Sequence, residues 1–108
     1  MADELHVEIA ESPHAWSVVV RGEVDLGTAG QLASVLADVI ERGALLVVLE
    51  LEHVEFLDSS GLRVILSAAD DLRDRDGSLV IGGASPAVLS VLEITGVIDR
   101  LRSSAQAE

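Results

Sequence analysis

The hydrophobic period changes several times along this chain, and the order of those changes constrains the fold more than any other feature. Apolar and polar residues alternate over residues 5–10 and again over 16–21, which is the pattern of half-buried strands. The short connection at residues 11–14 predicts a hairpin and therefore an antiparallel pair. Segments with helical and strand-like patterns then alternate up to residue 96. We therefore predict the order β-β-α-β-α-β-α, an α/β domain with a mixed sheet and right-handed parallel crossover helices.

Three segments have apolar residues at helical spacing, and each is bounded by residues typical of helix ends. These segments cover residues 28–43, 59–77 and 85–96. In the first, Thr28 followed by Gln31 matches a capping box, in which the two side chains satisfy each other's backbone N–H groups. We therefore expect this helix to begin with that reciprocal cap.

The segments between the helices contain short apolar runs. Residues 45–49 are apolar throughout, which is typical of a central strand covered on both faces. A polar interruption at 52–55 follows, and residues 79–81 form another buried run. Residues 97–98 are a candidate for a last short strand, and 102–108 form a polar tail. We expect residues 1–108 to form a single domain with its core between about residues 5 and 101.

Composition narrows the possible functions. The net charge is −12 and all seven basic residues are arginine, so direct binding to nucleic acid or to an anionic membrane surface is not expected. A basic protein partner fits this charge, although such a charge also serves solubility alone. The chain has no cysteine for a disulfide or a metal, and we expect no cofactor. Its acidic start and the lack of a long apolar run predict a cytoplasmic protein.

Three strand-to-helix turns, at residues 22–25, 57–61 and 82–85, are expected at the functional edge of the sheet. The middle turn places Asp58, Ser59 and Ser60 at a helix start, where free N–H groups favour an anion such as a phosphate on Ser59. Gly61 would leave room for a partner's backbone to approach. Asp and Ser are also favoured N-caps, so residue types alone leave capping and phosphorylation both open.

Residues 56–62, Phe-Leu-Asp-Ser-Ser-Gly-Leu, together with residues 64–66, resemble the signature of the STAS domain in its anti-sigma-factor antagonist branch. Other segments of the chain match this family in the same order. They are residues 21–25, 47–51 and 84–88. The resemblance covers residues 5–101 or so. Members commonly carry a further C-terminal helix, for which few residues remain after Arg100.

The resemblance implies partner switching, with no catalytic activity of the chain's own. Independently of the resemblance, we expect a monomer. In this family the unphosphorylated antagonist binds an anti-sigma factor that is a GHKL-type serine kinase, which frees a sigma factor. The kinase phosphorylates the serine after the motif's aspartate, here Ser59, and a PP2C-type phosphatase restores the active form. By the same resemblance, the other residues expected in the partner-binding surface are Asp58, Ser60, Gly61, Glu23 and Asp25.

Two other functional classes are alternatives to the phosphorylation switch: an enzyme and a non-switching STAS protein. A serine hydrolase would need a base for Ser59, but none of the three histidines is marked as a partner, and the Gly-x-Ser-x-Gly elbow is absent. A nucleotide-binding enzyme would need a phosphate-binding loop with a lysine, and the chain contains no lysine. The second alternative keeps the STAS fold as a non-switching scaffold or as a regulatory part of a signalling complex or transport system.

Overall fold

The structure, a computed structural model, describes residues 5–96 and contains the elements in the predicted order. They are β1 (His6–Glu11), β2 (Trp16–Val24), α1 (Ala29–Glu41), β3 (Leu46–Leu57), α2 (Ser59–Asp74), β4 (Ser78–Ala84) and α3 (Pro86–Ile94). The predicted strand at residues 97–98, the tail at 102–108 and any final helix lie outside the described residues. None of the helices in the described part of the chain is long and apolar enough to cross a membrane.

The four strands form one mixed sheet in the order β1-β2-β3-β4. β1 and β2 are antiparallel, whereas β3 is parallel to both β2 and β4. Each parallel connection moves one strand further in the same direction. Right-handed crossovers therefore place α1 and α2 side by side on one face of the sheet, where the two helices contact each other. The predicted α/β architecture, with an N-terminal antiparallel hairpin and crossover helices, is confirmed.

The spacing of buried residues changes within β3. Val47, Leu49 and Leu51 are buried at intervals of two, but Val54 and Leu57 follow at intervals of three. The pairing with β2 contains two register shifts in this part of the strand, each of which leaves an extra residue in β3. Such bulges restore the inward direction after each added residue. The expectation that the polar residues 52–55 follow the strand is therefore wrong, because they belong to it.

The start of β3 is covered less fully than its sequence predicted. Leu46 and Val48 are only half-buried, whereas Val47 and Leu49 between them are completely buried. The prediction that this run is covered on both faces is therefore wrong. One face packs against the helices, and the other stays partly open to solvent.

The first helix does not begin with the predicted capping box. Thr28 is the N-cap residue of α1, but its side chain forms no cap hydrogen bond with the helix. Its hydroxyl instead donates to the Glu23 carbonyl oxygen at 2.8 Å. The Gln31 amide donates to the Leu5 carbonyl oxygen at 2.9 Å and so ties α1 to the residue before β1. A local contact in the β2–α1 connection thus engages Thr28, and a tertiary contact engages Gln31, in place of the cap.

Candidate functional site

The turn between β3 and α2 is closed by the carboxylate of Asp58. This residue is extended, with φ −107° and ψ −170°, and is the N-cap of α2. Its Oδ1 atom accepts hydrogen bonds from the backbone N–H groups of Ser60 at 2.8 Å and Gly61 at 3.4 Å. Two of the otherwise unpaired N–H groups at the helix start are thereby satisfied. The sequence did not decide which residue of the motif caps the helix, and the structure shows that Asp58 does.

Ser59 is therefore not used as the cap. It is the first residue of α2, its side chain is exposed, and its hydroxyl makes no hydrogen bond among residues 5–96. Ser60, the next residue, is half-buried. The Ser60 hydroxyl also makes no hydrogen bond among residues 5–96, so the two serines differ in exposure, and Ser59 is the exposed one directly after the Asp58 carboxylate.

The turn after β2 lies next to this helix start. Val24 pairs with Leu57 and Glu23 pairs with Phe56 in the parallel register. The Asp58 backbone N–H continues the pairing and donates to the Val24 carbonyl oxygen at 3.1 Å. The structure therefore brings the segment that contains Glu23 and Asp25 beside the Asp58–Ser59 turn, as expected for strands that end at the same edge.

The two acidic residues of the β2–α1 turn differ in their contacts. The Asp25 Oδ1 atom accepts hydrogen bonds from the backbone N–H groups of Gly27 at 2.9 Å and Thr28 at 3.1 Å. This carboxylate therefore holds its own turn. Glu23 is half-buried, and its carboxylate has no hydrogen bond or ion pair among the described residues. Glu23 is the one of the pair whose charge stays available to a partner.

Gly61 is packed closely against the ends of β2 and β3. A Cβ atom at this position would lie 2.5 Å from Leu57 Cδ1 and 2.7 Å from Val24 Cγ1. Both distances are shorter than side-chain carbons tolerate, and Gly61 is buried. The missing side chain at Gly61 therefore serves packing within the chain, and its place in a partner-binding surface stays a prediction. Its missing side chain lets the start of α2 lie directly against the ends of β2 and β3.

Two exposed apolar side chains near this edge were missed by the sequence analysis. Leu26, in the β2–α1 turn, is 84% exposed, and Phe56, near the end of β3, is 48% exposed. Leu26 continues the spacing of two residues that the buried positions of β2 follow, so the apolar pattern gave no signal that this side chain is exposed. In the third predicted turn, the Ser85 hydroxyl donates to the Val54 carbonyl oxygen and accepts from the Val88 N–H, which caps α3. This serine is therefore engaged in structure, unlike Ser59.

The cap geometry predicts a graded effect of substitutions at Asp58. Asp58→Ala removes the acceptor for two N–H groups, and we expect the free energy of unfolding to fall by about 1 kcal/mol. Asp58→Asn keeps a side-chain oxygen in place and should cost less than half of that. Urea unfolding followed by the fluorescence of Trp16, the only tryptophan, measures both variants. Equal losses for the two variants would contradict the capping role.

Known proteins resemble this chain along most of its length. Residues 6–107 match the family described as the STAS domain. An anti-sigma-B factor antagonist of Staphylococcus aureus is 30% identical over 104 residues, which cover 96% of each chain. A putative anti-sigma factor antagonist, BtrV, of Bordetella bronchiseptica is 38% identical over 79 residues, covering 73% of this chain and 68% of that protein.

Solved structures show the same fold. An anti-sigma factor antagonist from Mycobacterium paratuberculosis superposes with a TM-score of 0.84 at 23% identity, covering 99% of this chain and 96% of the other. The unphosphorylated form of the anti-sigma factor antagonist SpoIIAA superposes with a TM-score of 0.76 at 22% identity, covering 87% and 84% of the two chains. At these identities the superpositions speak for the fold alone.

Proposed function

The chain belongs to the STAS domain family, in its anti-sigma-factor antagonist branch, and from this premise we propose that it is a phosphorylation-controlled switch. Proteins of this branch are regulatory and not enzymes. In its unphosphorylated form the chain binds a cytoplasmic anti-sigma factor that is a GHKL-type serine kinase, and this binding frees a sigma factor. The kinase phosphorylates Ser59, and the complex then dissociates.

The observation that carries the proposal is the division of labour between Asp58 and Ser59. Asp58 caps α2 alone, so the Ser59 hydroxyl is exposed and has no hydrogen-bond partner among residues 5–96. A serine needed for capping would be held by the helix and would have to leave it in order to react. Ser59 can instead enter a kinase active site while the cap stays intact.

The proposed transfer follows the ordinary chemistry of a serine kinase. The Ser59 oxygen attacks the γ-phosphorus of ATP, a new phosphorus–oxygen bond forms, and the bond to the oxygen of ADP breaks. The hydroxyl proton passes to a base of the kinase, and ADP leaves. A PP2C-type phosphatase reverses the modification with water, which regenerates the hydroxyl and releases inorganic phosphate.

The phosphate acts on the interface rather than on the fold. It adds about −1.5 to −2 charges at pH 7, next to the Asp58 carboxylate. Asp58 already accepts hydrogen bonds from the N–H groups of Ser60 and Gly61, so the helix start has fewer free N–H groups for the phosphate than the sequence predicted. The phosphate of the free protein stays in water because Ser59 is exposed. In the complex it would be buried beside a carboxylate, which is unfavourable.

The direct test is incubation of the purified chain with ATP and each GHKL-type serine-kinase anti-sigma factor encoded in the same genome. We expect mass spectrometry to find one phosphate, on Ser59, and a PP2C-type phosphatase to remove it. A kinase that binds the chain without modifying it would overturn the switch. That result would favour the alternative of a non-switching STAS scaffold.

The neighbouring serine provides a matched control. Ser60 is half-buried whereas Ser59 is exposed, so we expect the Ser60 hydroxyl to be the less accessible of the two. We expect Ser60→Ala to be phosphorylated on Ser59 at a rate within about threefold of the unmodified chain, a free-energy difference below about 0.7 kcal/mol. Time courses of phosphate incorporation measure this. If Ser60→Ala accepts no phosphate although Ser59 is intact, the acceptor is Ser60 and not Ser59.

A further inference from the structure

We infer that Leu26 is the apolar anchor by which this chain docks on its kinase, and that it inserts into an apolar pocket rimmed by basic side chains. The inference rests on the proposed function, since the occupant of this surface is the serine kinase that modifies Ser59. It goes beyond that function by assigning the binding contact to a residue outside the phosphorylation motif.

The first support is exposure. Leu26 is 84% exposed, although it is a large apolar residue at the edge of the sheet where the acceptor serine lies. A single exposed leucine is common on protein surfaces and needs no explanation by itself. Leu26 differs from an ordinary exposed leucine in its place near the acceptor serine and in the fixed backbone that carries it.

The turn that carries Leu26 is held from both sides. Before it, the Asp25 backbone N–H donates to the Thr28 hydroxyl at 3.0 Å, and that hydroxyl donates to the Glu23 carbonyl oxygen. After it, the N–H groups of Gly27 and Thr28 donate to the Asp25 carboxylate. The backbone on either side of Leu26 is therefore fixed before binding. A preorganised apolar side chain loses little conformational entropy when it is buried in a complex.

Leu26 also follows the strand that pairs with the one leading to the acceptor. Val24 and Leu57 are register partners in neighbouring parallel strands, and Leu26 and Ser59 follow them at the same offset of two residues. The Asp58–Val24 hydrogen bond holds the two turns together. We therefore expect a kinase whose active site encloses Ser59 to approach the β2–α1 turn as well.

Charge indicates the rim of the matching pocket. Asp25 directly precedes Leu26, Glu23 lies near the end of β2, and the Asp58 backbone is bound to Val24 between them, in a chain of net charge −12. The Glu23 carboxylate has no ion-pair partner among residues 5–96. An apolar centre within an acidic rim is complementary to an apolar pocket surrounded by arginine or lysine.

The test compares two equally exposed residues. Ile94, the last residue of α3, is also 84% exposed, and it lies about 12 Å of helix away from the start of α3 at the functional edge. We expect Leu26→Ala to raise the Kd for the kinase between about 10-fold and 100-fold, as loss of a buried leucine contact does. Ile94→Ala should leave the Kd unchanged, and Leu26→Met should stay close to the original chain.

Kinetics separate docking from chemistry. In Leu26→Ala the KM for Ser59 phosphorylation should rise with the Kd while kcat is retained, because the Asp58–Ser59 turn is not altered. The melting temperature of each variant, followed at Trp16, should match that of the original chain, since both side chains are exposed.

The outcomes distinguish the inference from the function on which it rests. If the original chain is bound and phosphorylated on Ser59 but Leu26→Ala binds equally well, the anchor is wrong and the switch stands. Equal losses in Leu26→Ala and Ile94→Ala would also overturn the anchor. If no GHKL-type kinase of the genome binds and modifies the original chain, the proposed function fails and the inference fails with it.

Discussion

Replacing Ser59 with aspartate weakens binding of the kinase about a hundredfold, which corresponds to about 2.7 kcal/mol. The new carboxylate lies next to Asp58, so two negative charges meet where the unmodified chain has one. Burial of this unpaired charge at the interface opposes association. Calorimetric titration of the kinase with each variant measures the loss directly.

The same substitution leaves the fold almost untouched. Ser59 is exposed and makes no hydrogen bond among the described residues, so its replacement removes no contact. We expect the free energy of unfolding to change by less than about 0.5 kcal/mol. Ser59→Ala is the matched control and should bind the kinase like the original chain while accepting no phosphate. Undiminished binding by Ser59→Asp, or equal loss in Ser59→Ala, would contradict the switch.

The order of the elements could be predicted because each change of hydrophobic period reports a change of local structure. The extent of β3 could not. Its second half is bulged twice against β2, and burial there follows a spacing of three residues instead of two. A bulge depends on the pairing of two strands, and a single strand's sequence does not contain that information.

The position of the site could be predicted, but the roles of its residues could not. Asp58, Ser59 and Ser60 are all residue types that cap helices, and only the three-dimensional structure shows that Asp58 alone does so. The packing role of Gly61 could not be predicted either, because it depends on which side chains lie against the start of α2. Leu26 was overlooked because pattern analysis assigns apolar residues to the core, and this one lies in a turn.

The inward packing of Gly61 couples stability to the proposed modification. In Gly61→Ala the new Cβ would meet Leu57 Cδ1 at 2.5 Å and the stiffer Val24 Cγ1 at 2.7 Å, so the start of α2 must move away from the strand ends. Overpacking of this kind costs about 1–3 kcal/mol, offset in part by the better helix propensity of alanine. We expect a net loss of about 1–2 kcal/mol in the free energy of unfolding.

Gly77 provides a control at the opposite end of the sheet, in the turn before β4. A Cβ atom there would lie 2.5 Å from the carbonyl oxygen of Leu45, which accepts a hydrogen bond from Ser78. Because the obstacle is backbone, Gly77→Ala should destabilise the protein by at least as much as Gly61→Ala. Its effect should remain local, since neither Leu45 nor Ser78 touches the Asp58–Ser59 turn.

The two variants should therefore differ in the rate of Ser59 phosphorylation when it is measured well below both melting temperatures. We expect Gly61→Ala to slow phosphate transfer to Ser59 by at least about tenfold, because a shift of 1 Å in a reacting group can cost that much or more. Gly77→Ala, equally or more destabilised, should be modified at the original rate. Equal rates in the two variants would show that the packing of Gly61 supports the fold without positioning Ser59.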